Sequence, residues 1–299
     1  MNQLPLVTII CICYNHETFV TESLNSVVNQ SYKNIQIIIV DDASNDNSVK
    51  EIKNWIQNRS NVIFIENEKN LGNTISFNKA LKHAKGSFII DLATDDVLLY
   101  ETINKQINAF NKEDNVALVF GNAELIDEKG HFLSYYFEVD KNIKTIDSNI
   151  HKTDYISILK GGKCMCSVSG MIKAEELKKL GGFDENLIYE DLDIWLRIAR
   201  NYDIKYVDEP LIKKRIVPFS QSSFFFQNTE YARKINASTY IILNKAFKMN
   251  RTVNEHKALL KRVHHEIKHN FKFKNNEIVL KNGLLKIKIH LKILWLKLF

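Results

Sequence analysis

Hydrophobic residues in the first hundred positions recur with two different periods that alternate along the chain. Continuous apolar runs rich in β-branched residues are typical of strands that are covered on both faces. Between these runs, apolar residues fall at helical spacing. The predicted strands are Leu6–Cys13, Ile35–Val40, Val62–Ile65 and Ser87–Leu92, and the predicted helices are Phe19–Gln30, Val49–Ile56 and Ile75–Ala84. This alternation predicts a parallel, doubly wound sheet, which binds ligands at the carboxyl ends of its strands.

Beyond Asp96 the pattern is less regular, and residues 127–165 give no clear prediction. The predicted elements are a helix at Leu99–Phe110, a strand at Val116–Leu125, a short strand at Met171–Ile172, a helix at Ala174–Leu180 ended by Gly181 and Gly182, a helix at Ile188–Arg200, and strands at Ile204–Val207 and Leu211–Ile216. From about Thr229 onward the pattern is mostly helical. Residues 285–293 are the exception, because apolar and basic residues alternate there in a way that fits a strand better.

Length and composition are ordinary for a globular protein of one or two domains, with 299 residues of which 45% are hydrophobic and 25% charged. The net charge of +6 is unevenly distributed. From Arg251 onward there are 12 Lys/Arg and 3 Asp/Glu, or +9, which leaves 29 basic and 32 acidic residues, or −3, in residues 1–250. A basic tail interleaved with apolar residues favours peripheral contact with an anionic membrane. A solvated helical face, or an element packed on the rest of the fold, is the alternative.

The four cysteines form two Cys-x-Cys pairs, Cys11/Cys13 and Cys164/Cys166, which is not the spacing of a zinc site. Buried, reduced thiols are the interpretation, and they fit a cytoplasmic protein. The N-terminal apolar run is short and lacks a basic region before it, so it predicts a strand and not a signal peptide. No run of about 20 apolar residues predicts a transmembrane helix.

Acidic residues follow two of the predicted strands. Asp41 and Asp42 close the run IQIIIVDD, and Asp95 and Asp96 follow GSFIIDLAT. In a parallel sheet both pairs lie at the carboxyl edge, where ligands bind. Asp is common in loops, but two pairs at one edge favour a ligand site. Their carboxylates suit Mg²⁺ or Mn²⁺, which proteins commonly hold through one or two carboxylates together with substrate phosphates.

Glycine-rich phosphate-binding loops are missing, because neither G-x-G-x-x-G nor G-x-x-x-x-G-K-[ST] occurs. A nucleotide would therefore be held through a metal and side chains. A third acidic group, Glu190 and Asp191, opens a predicted helix in GGFDENLIYEDLDIWLRIA. Acidic residues in a first helical turn are favoured by the helix dipole alone. The functional interpretation makes Asp191 a general base toward an attacking hydroxyl.

Four segments together resemble glycosyltransferase family 2, and they occur in the order typical of that family. They are VTIICICYNHETFVTESLNSVVNQSYKNIQIIIVDDASND, NLGNTISFNKAL, ATDD and GGFDENLIYEDLDIWLRIA, which span about Pro5 to Arg215. The resemblance implies an α/β GT-A fold, that is, a Rossmann-like mixed sheet flanked by helices. It also implies a nucleotide-sugar donor and inversion at the anomeric carbon. Residues 1–216 would form the transferase domain, with a nucleotide-binding half (1–96) and an acceptor half (97–216), and 217–299 a mostly helical, basic extension.

The resemblance assigns the nucleotide site residue by residue. Asp42 matches the aspartate that hydrogen-bonds the nucleotide base. Tyr14 matches the aromatic residue beside the base, and Asn15 follows it in the same loop. Asp95 would lie near the ribose, and Asp96 would bind the divalent metal, Mn²⁺ or Mg²⁺.

The resemblance also assigns the reacting end of the site. Asp191 matches the catalytic base of a Glu-Asp pair, in which Glu190 is the first member. Arg215 resembles an arginine after the last strand that approaches the diphosphate. Two positions depart from the family pattern, since Thr94 stands first in the D-x-D triplet and Val217 replaces the histidine of R-x-H.

We therefore expect a metal-dependent glycosyltransferase that acts on a saccharide or a lipid-linked saccharide. The resemblance favours a UDP-sugar and a role in bacterial surface polysaccharide synthesis, such as capsule or lipopolysaccharide. The expected location is cytoplasmic, with the option of peripheral attachment to the inner face of the cytoplasmic membrane. A non-catalytic nucleotide-sugar binding protein is one alternative, and a nucleic-acid-binding protein that uses the basic tail is the second. A nucleic-acid partner is not expected, because the basic tail lacks aromatic interleaving or a known module.

Overall fold

A computed structural model of the protein describes residues 4–111, 115–217 and 221–298. Its first half repeats strand and helix as the hydrophobic pattern predicts. The elements are β1 (Val7–Cys13), α1 (Val20–Val28), β2 (Ile35–Asp41), α2 (Ser48–Ile56), β3 (Val62–Glu66), α3 (Asn73–Leu81) and β4 (Phe88–Ala93). The four strands are parallel in the order β3-β2-β1-β4, and β1 and β2 are almost wholly buried. Their carboxyl ends therefore meet at one edge of the sheet, as predicted.

The second half extends the same sheet. It contains β5 (Val97–Leu98), α4 (Thr102–Phe110), β6 (Val116–Ile126), β7 (Phe132–Tyr135), α5 (Tyr155–Lys160), β8 (Met171–Lys173), α6 (Ala174–Lys179), α7 (Asp191–Ala199) and β9 (Asp203–Arg215). The sheet continues from β4 in the order β8-β6-β9-β5, with β7 paired to β6. β8 is antiparallel to both β4 and β6, so the sheet is mixed, in agreement with the GT-A expectation.

The two strands predicted at Ile204–Val207 and Leu211–Ile216 are one strand, β9. The residues between them contain Pro210, which has no backbone N–H to donate. The strand continues through this interruption, and the register against β6 shifts on both sides of Asn122, which lies opposite Pro210.

Three long helices follow the sheet: α8 (Glu230–Met249), α9 (Val253–Lys272) and α10 (Asn276–Leu298). The strand predicted at residues 285–293 is wrong, because this segment lies inside α10. One face of α10 buries Leu285 and Ile289, while Leu284 and Leu291 are exposed on the opposite face. Two apolar faces on opposite sides of one helix produce the near-alternating pattern that resembled a strand.

All four cysteines are free, and three of them are buried. Burial raises the pKa of the Cys13 thiol to about 11. The expected burial holds for Cys11, Cys13 and Cys166, while Cys164 is partly exposed. Within the described ranges, no helix combines the length and the apolar character that crossing a membrane requires.

Candidate functional site

The loops after β1 and β2 are joined by hydrogen bonds between their side chains and backbone. The Asn15 N–H donates to Ser44 Oγ (2.9 Å), and the Asn45 N–H donates to Asn15 Oδ1 (2.7 Å). Asn15 has a φ of 57°, a left-handed conformation that asparagine tolerates well. Beside it Tyr14 is 40% exposed, so it is a surface residue at the strand end and not part of the core.

Asp42 lies directly after β2 and is buried, with four hydrogen bonds to its carboxylate. Oδ1 accepts from Asn67 Nδ2 (2.9 Å), the Leu71 N–H (2.9 Å) and Ser76 Oγ (2.8 Å), and Oδ2 accepts from the Gly72 N–H (2.8 Å). These bonds fix the loop between β3 and α3 at the edge of the sheet. The assignment of Asp42 to the nucleotide base stays a prediction.

Asp95 and Asp96 lie in the turn after β4, together with Arg215. Asp96 is 3% exposed and its Oδ1 accepts the Arg215 N–H at 2.8 Å. The Arg215 Nε donates to the Asp95 carbonyl at 2.9 Å. Burial, and then repulsion from Asp95, hold the pKa of Asp96 well above its usual range. Thr94 Oγ1 lies 2.9 Å from His16 Nδ1, and His16 Nε2 lies 4.0 Å from Asp95 Oδ2. The turn after β4 therefore brings two adjacent carboxylates together with His16 and Arg215.

The guanidinium of Arg215 is buried and contacts protein groups on several sides. Nη1 donates to the carbonyls of Asp127 and Glu128, both at 3.1 Å, and Nη2 pairs with Glu22 at 2.6 Å. The guanidinium also lies over the Phe19 ring, 4.6 Å from its centre. These contacts make Arg215 a support for the turn, and its predicted approach to the diphosphate stays a prediction.

Asp91 in β4 and Glu190 before α7 form a second acidic group, called here the acidic pair. Burial, and then the charge of Asp91, raise the pKa of Glu190 to about 8, while burial raises the pKa of Asp91 to about 7. The Asn73 side chain hydrogen-bonds toward both residues and lowers both pKa values. Glu190 Oε2 is buried without a hydrogen-bond partner. The pair lines a cavity of about 40 Å³ together with Asp191, Phe77, Phe183 and Trp195.

Asp191 is the first residue of α7, and its Oδ1 accepts the Leu192 N–H at 2.7 Å. Burial raises the pKa of Asp191, while hydrogen bonds from Leu192 and Ser167 and the charge of Lys214 act against the rise. The charge of Lys214 also lowers the pKa of Asp96. One ammonium group therefore influences both carboxylates, and the prediction that Asp96 and Asp191 belong to one ligand site stays a prediction.

The first turn of α3 connects the two ends of the site. Ser76 donates to Asp42, Asn73 lies beside the acidic pair, and Thr74 Oγ1 donates to the Leu187 carbonyl at 3.3 Å. Leu187 belongs to the segment that leads into Glu190 and α7. One helical turn therefore contacts Asp42, at the predicted nucleobase site, on one side and the acidic pair on the other.

Asp95 and Asp96 are the residues of the site that could hold a divalent cation. They are adjacent carboxylates, and the repulsion that raises the pKa of Asp96 would be relieved by a bound cation. Within the described part of the chain, three His, Cys, Asp or Glu side chains nowhere come together as a metal-binding group. A cation here would therefore take oxygens from a substrate diphosphate as well, as Mg²⁺ commonly does.

Sequence reasoning missed Asp91, Asn73 and Lys214. Asp91 had a signal, since an aspartate inside the apolar strand FIIDLA is unusual. Lys214 precedes Arg215 in β9, and neighbouring strand residues point to opposite faces, so only one of the two can face Asp191. Nothing in the sequence indicates that Asn73 lies beside both members of the acidic pair.

The chain matches the family model "Glycosyl transferase family 2" over residues 8–175. It is 35% identical over 216 residues to an uncharacterized glycosyltransferase of Methanocaldococcus jannaschii, a match that covers 71% of each protein. It is 33% identical over 213 residues to an uncharacterized glycosyltransferase of Rickettsia felis, covering 71% of this chain and 34% of that longer protein.

Two solved structures share the fold. S. aureus TarS, residues 1–349, in complex with UDP-GlcNAc, superposes with a TM-score of 0.65 at 18% identity, covering 90% of this chain and 73% of that one. The mannosyltransferase PcManGT from Pyrobaculum calidifontis, in complex with GDP-Man and Mn²⁺, gives a TM-score of 0.62 at 16% identity, covering 95% and 74%. Because the identity is so low, the likeness to these structures shows the fold of the chain and nothing about its substrates.

Proposed function

The chain belongs to glycosyltransferase family 2, and from that premise we propose that it transfers a sugar from a nucleotide-sugar donor to an acceptor hydroxyl with inversion at the anomeric carbon. The observation that supports this proposal is the influence of the Lys214 charge on both Asp96, the proposed metal ligand, and Asp191, the proposed base. UDP-GlcNAc and GDP-Man bound to proteins of the same fold support a nucleotide-sugar donor.

In the proposed reaction Asp191 is the general base. The acceptor oxygen attacks the anomeric carbon, the bond from that carbon to the diphosphate oxygen breaks, and the acceptor proton passes to the Asp191 carboxylate. Burial favours this role because a carboxylate with a raised pKa is a stronger base. Lys214 is proposed to lie beside the leaving diphosphate, where its positive charge would offset the charge that develops.

Asp96, with Asp95 beside it, would hold a divalent cation, Mn²⁺ or Mg²⁺. Such a cation, when bound, supplies positive charge to the departing diphosphate. Arg215 keeps both aspartates in place through its backbone N–H and its Nε. Asp42, Tyr14 and Asn15 are proposed to surround the nucleotide base at the neighbouring strand ends.

The acceptor is proposed to be a saccharide or a lipid-linked saccharide in the synthesis of a bacterial surface polysaccharide, such as capsule or lipopolysaccharide. A UDP-sugar is the proposed donor. The proposed location is the cytoplasm, at the inner face of the cytoplasmic membrane. Each of these statements extends what family membership supports, since one family hosts many substrates on one fold.

The test is a panel of UDP- and GDP-sugars, measured for Mn²⁺-dependent thermal stabilisation and for release of nucleoside diphosphate with water as the acceptor. We expect one donor to stabilise the protein and to be hydrolysed slowly. Asp191→Asn should keep the stabilisation and lower the release about 10²–10⁴-fold, because base catalysis is typically worth that factor. Glu185→Gln, an exposed change in the loop before α7, is the matched control.

Three outcomes separate the possibilities. Stabilisation with release that depends on Asp191 supports the transferase. Stabilisation without release, in the presence of candidate acceptors as well, indicates a non-catalytic nucleotide-sugar binding protein. Release at the normal rate from Asp191→Asn shows that another residue is the base.

A further inference from the structure

The outer side of α10 carries a continuous row of exposed apolar side chains. Each is at least half exposed, from Trp295 at 51% to Leu298 at 77%. We call this row the outer apolar face; its residues are Leu280, Leu284, Ile287, Leu291, Leu294, Trp295 and Leu298. At 100° per residue these positions fall within about 100° of arc, and the helix is roughly 35 Å long. A continuous exposed row of this length on one element is a mark of a binding surface.

The fold does not need this face for its own packing. The opposite side of α10 buries Ile278, Leu285, Ile289 and Ile293 against the neighbouring helices. α9 is the main contact of α10, and α8 adds a smaller one. The inner face therefore holds the helix in place, and the outer face is left in contact with solvent.

Basic residues border the outer apolar face on both sides. On the helical wheel, Lys281, Lys288 and Lys292 lie along one border and Lys297 lies beyond the other, while Lys286 lies further round, toward the buried side. α10 has five lysines and a single acidic residue, Glu277, which pairs with Lys281 at 2.5 Å. A groove of about 490 Å³ opens along the first border, between Phe247 of α8 and Lys288, Leu291, Lys292 and Trp295.

We propose that α10 lies flat on an anionic lipid bilayer, with its outer apolar face inserted at the level of the headgroups and its lysines paired with anionic lipids. An apolar row flanked by lysines, with a tryptophan in the row, is the arrangement of interfacial helices. α10 is too polar to cross a membrane. Lysines beside the membrane plane attract anionic lipid headgroups.

A second copy of the chain fits this surface less well than a bilayer does. A two-fold contact through the outer apolar faces would bring the same lysine-rich borders together. Like charges facing each other across an interface oppose association. A bilayer with anionic lipids instead offers an apolar interior to the row and negative charge to both borders.

The test is co-sedimentation of the full chain with phosphatidylcholine vesicles that contain or lack phosphatidylglycerol. We expect binding to the anionic vesicles that weakens with salt. The double variant Leu284→Ser, Leu291→Ser should lower the vesicle affinity by about tenfold per leucine. Each substitution removes most of the favourable free energy of transferring that side chain from water into the bilayer. Lys288→Gln with Lys292→Gln should lower it roughly fivefold per lysine, on the anionic vesicles alone.

Phe132→Ser with Leu133→Ser is the matched control, since these side chains on β7 are exposed to a similar degree, 53% and 54%. Its vesicle affinity should equal that of the unmodified chain, and thermal unfolding should show that all variants fold. The proposal is overturned if the unmodified chain does not bind anionic vesicles, or if the α10 leucine variant binds as well as the control. It is also overturned if that variant changes a dimer into a monomer and leaves vesicle binding unchanged. None of these readouts depends on sugar transfer.

Discussion

Replacing Glu190 by glutamine removes one partly buried ionisable group while conserving its volume. In the folded protein the pKa of Glu190 is raised from 4.5 to about 8, by burial first and by the charge of Asp91 second. Its Oε2 is buried without a hydrogen-bond partner. The charged form of Glu190 is therefore unfavourable in the fold, and the Glu190→Gln variant never has to adopt it.

The sign of the effect follows from the direction of the shift. Between pH 4.5 and about 8 the folded state binds more protons at Glu190 than the unfolded state does. The free energy of unfolding therefore falls as pH rises through this window, by up to ~1.4 kcal/mol per pH unit for one proton. Between pH 6 and pH 8 the free energy of unfolding of the unmodified chain should fall by about 2 kcal/mol more than that of Glu190→Gln. This value allows for the coupling between the protons of Glu190 and Asp91.

Urea unfolding followed by tryptophan fluorescence, at several pH values and without metal or nucleotide, measures this difference. The two proteins should have similar stability near pH 5, and Glu190→Gln should be the more stable one at pH 8. Glu68→Gln, a change at an exposed glutamate, should follow the unmodified chain at every pH. Parallel stability profiles for Glu190→Gln and the unmodified chain would refute the reasoning, because they would mean that Glu190 is ionised in the fold without penalty.

Two further predictions concern the turn after β4. Asp96→Ala should lower the Mn²⁺-dependent affinity for nucleoside diphosphate at least about tenfold, measured by calorimetry with and without Mn²⁺; equal affinities in both conditions would contradict the metal assignment. Arg215→Lys keeps the charge but loses the planar set of donors that reaches Asp95, Asp127 and Glu128, so the free energy of unfolding should fall by about 2–3 kcal/mol in urea titrations. An unchanged unfolding midpoint would show that these contacts do not stabilise the fold.

The first half of the fold could be predicted from the sequence because each buried strand is a short apolar run between polar turns. The same reasoning gave no prediction for residues 127–165, where tertiary contacts decide the structure. β7 in this segment is four residues long, and it is a strand because it pairs with β6. The prediction for residues 285–293 was wrong because α10 has two apolar faces, one buried and one exposed, and together they produce a near-alternating pattern.

Only the part of the candidate site that lies at the ends of the parallel strands could be predicted from the sequence. Tyr14, Asp42 and Asp96 follow parallel strands, so their common edge follows from the alternation of strand and helix. The acidic pair could not be predicted, because Asp91 and Glu190 are brought together by β4 and the segment before α7, which are far apart in the sequence. The direction of the Arg215 guanidinium likewise depends on Glu22 and on the turn after β6.

The four hydrogen bonds to Asp42 have a consequence for how relatives of this protein could diverge in nucleotide choice. Because this carboxylate fastens the loop that begins at Asn67, substitution at Asp42 would disturb the loop before it altered any contact with a nucleobase. Substitutions that change the preferred nucleobase would then occur at positions that do not hold this loop in place. Tyr14, exposed at the end of β1, is the position where we expect such variation to accumulate.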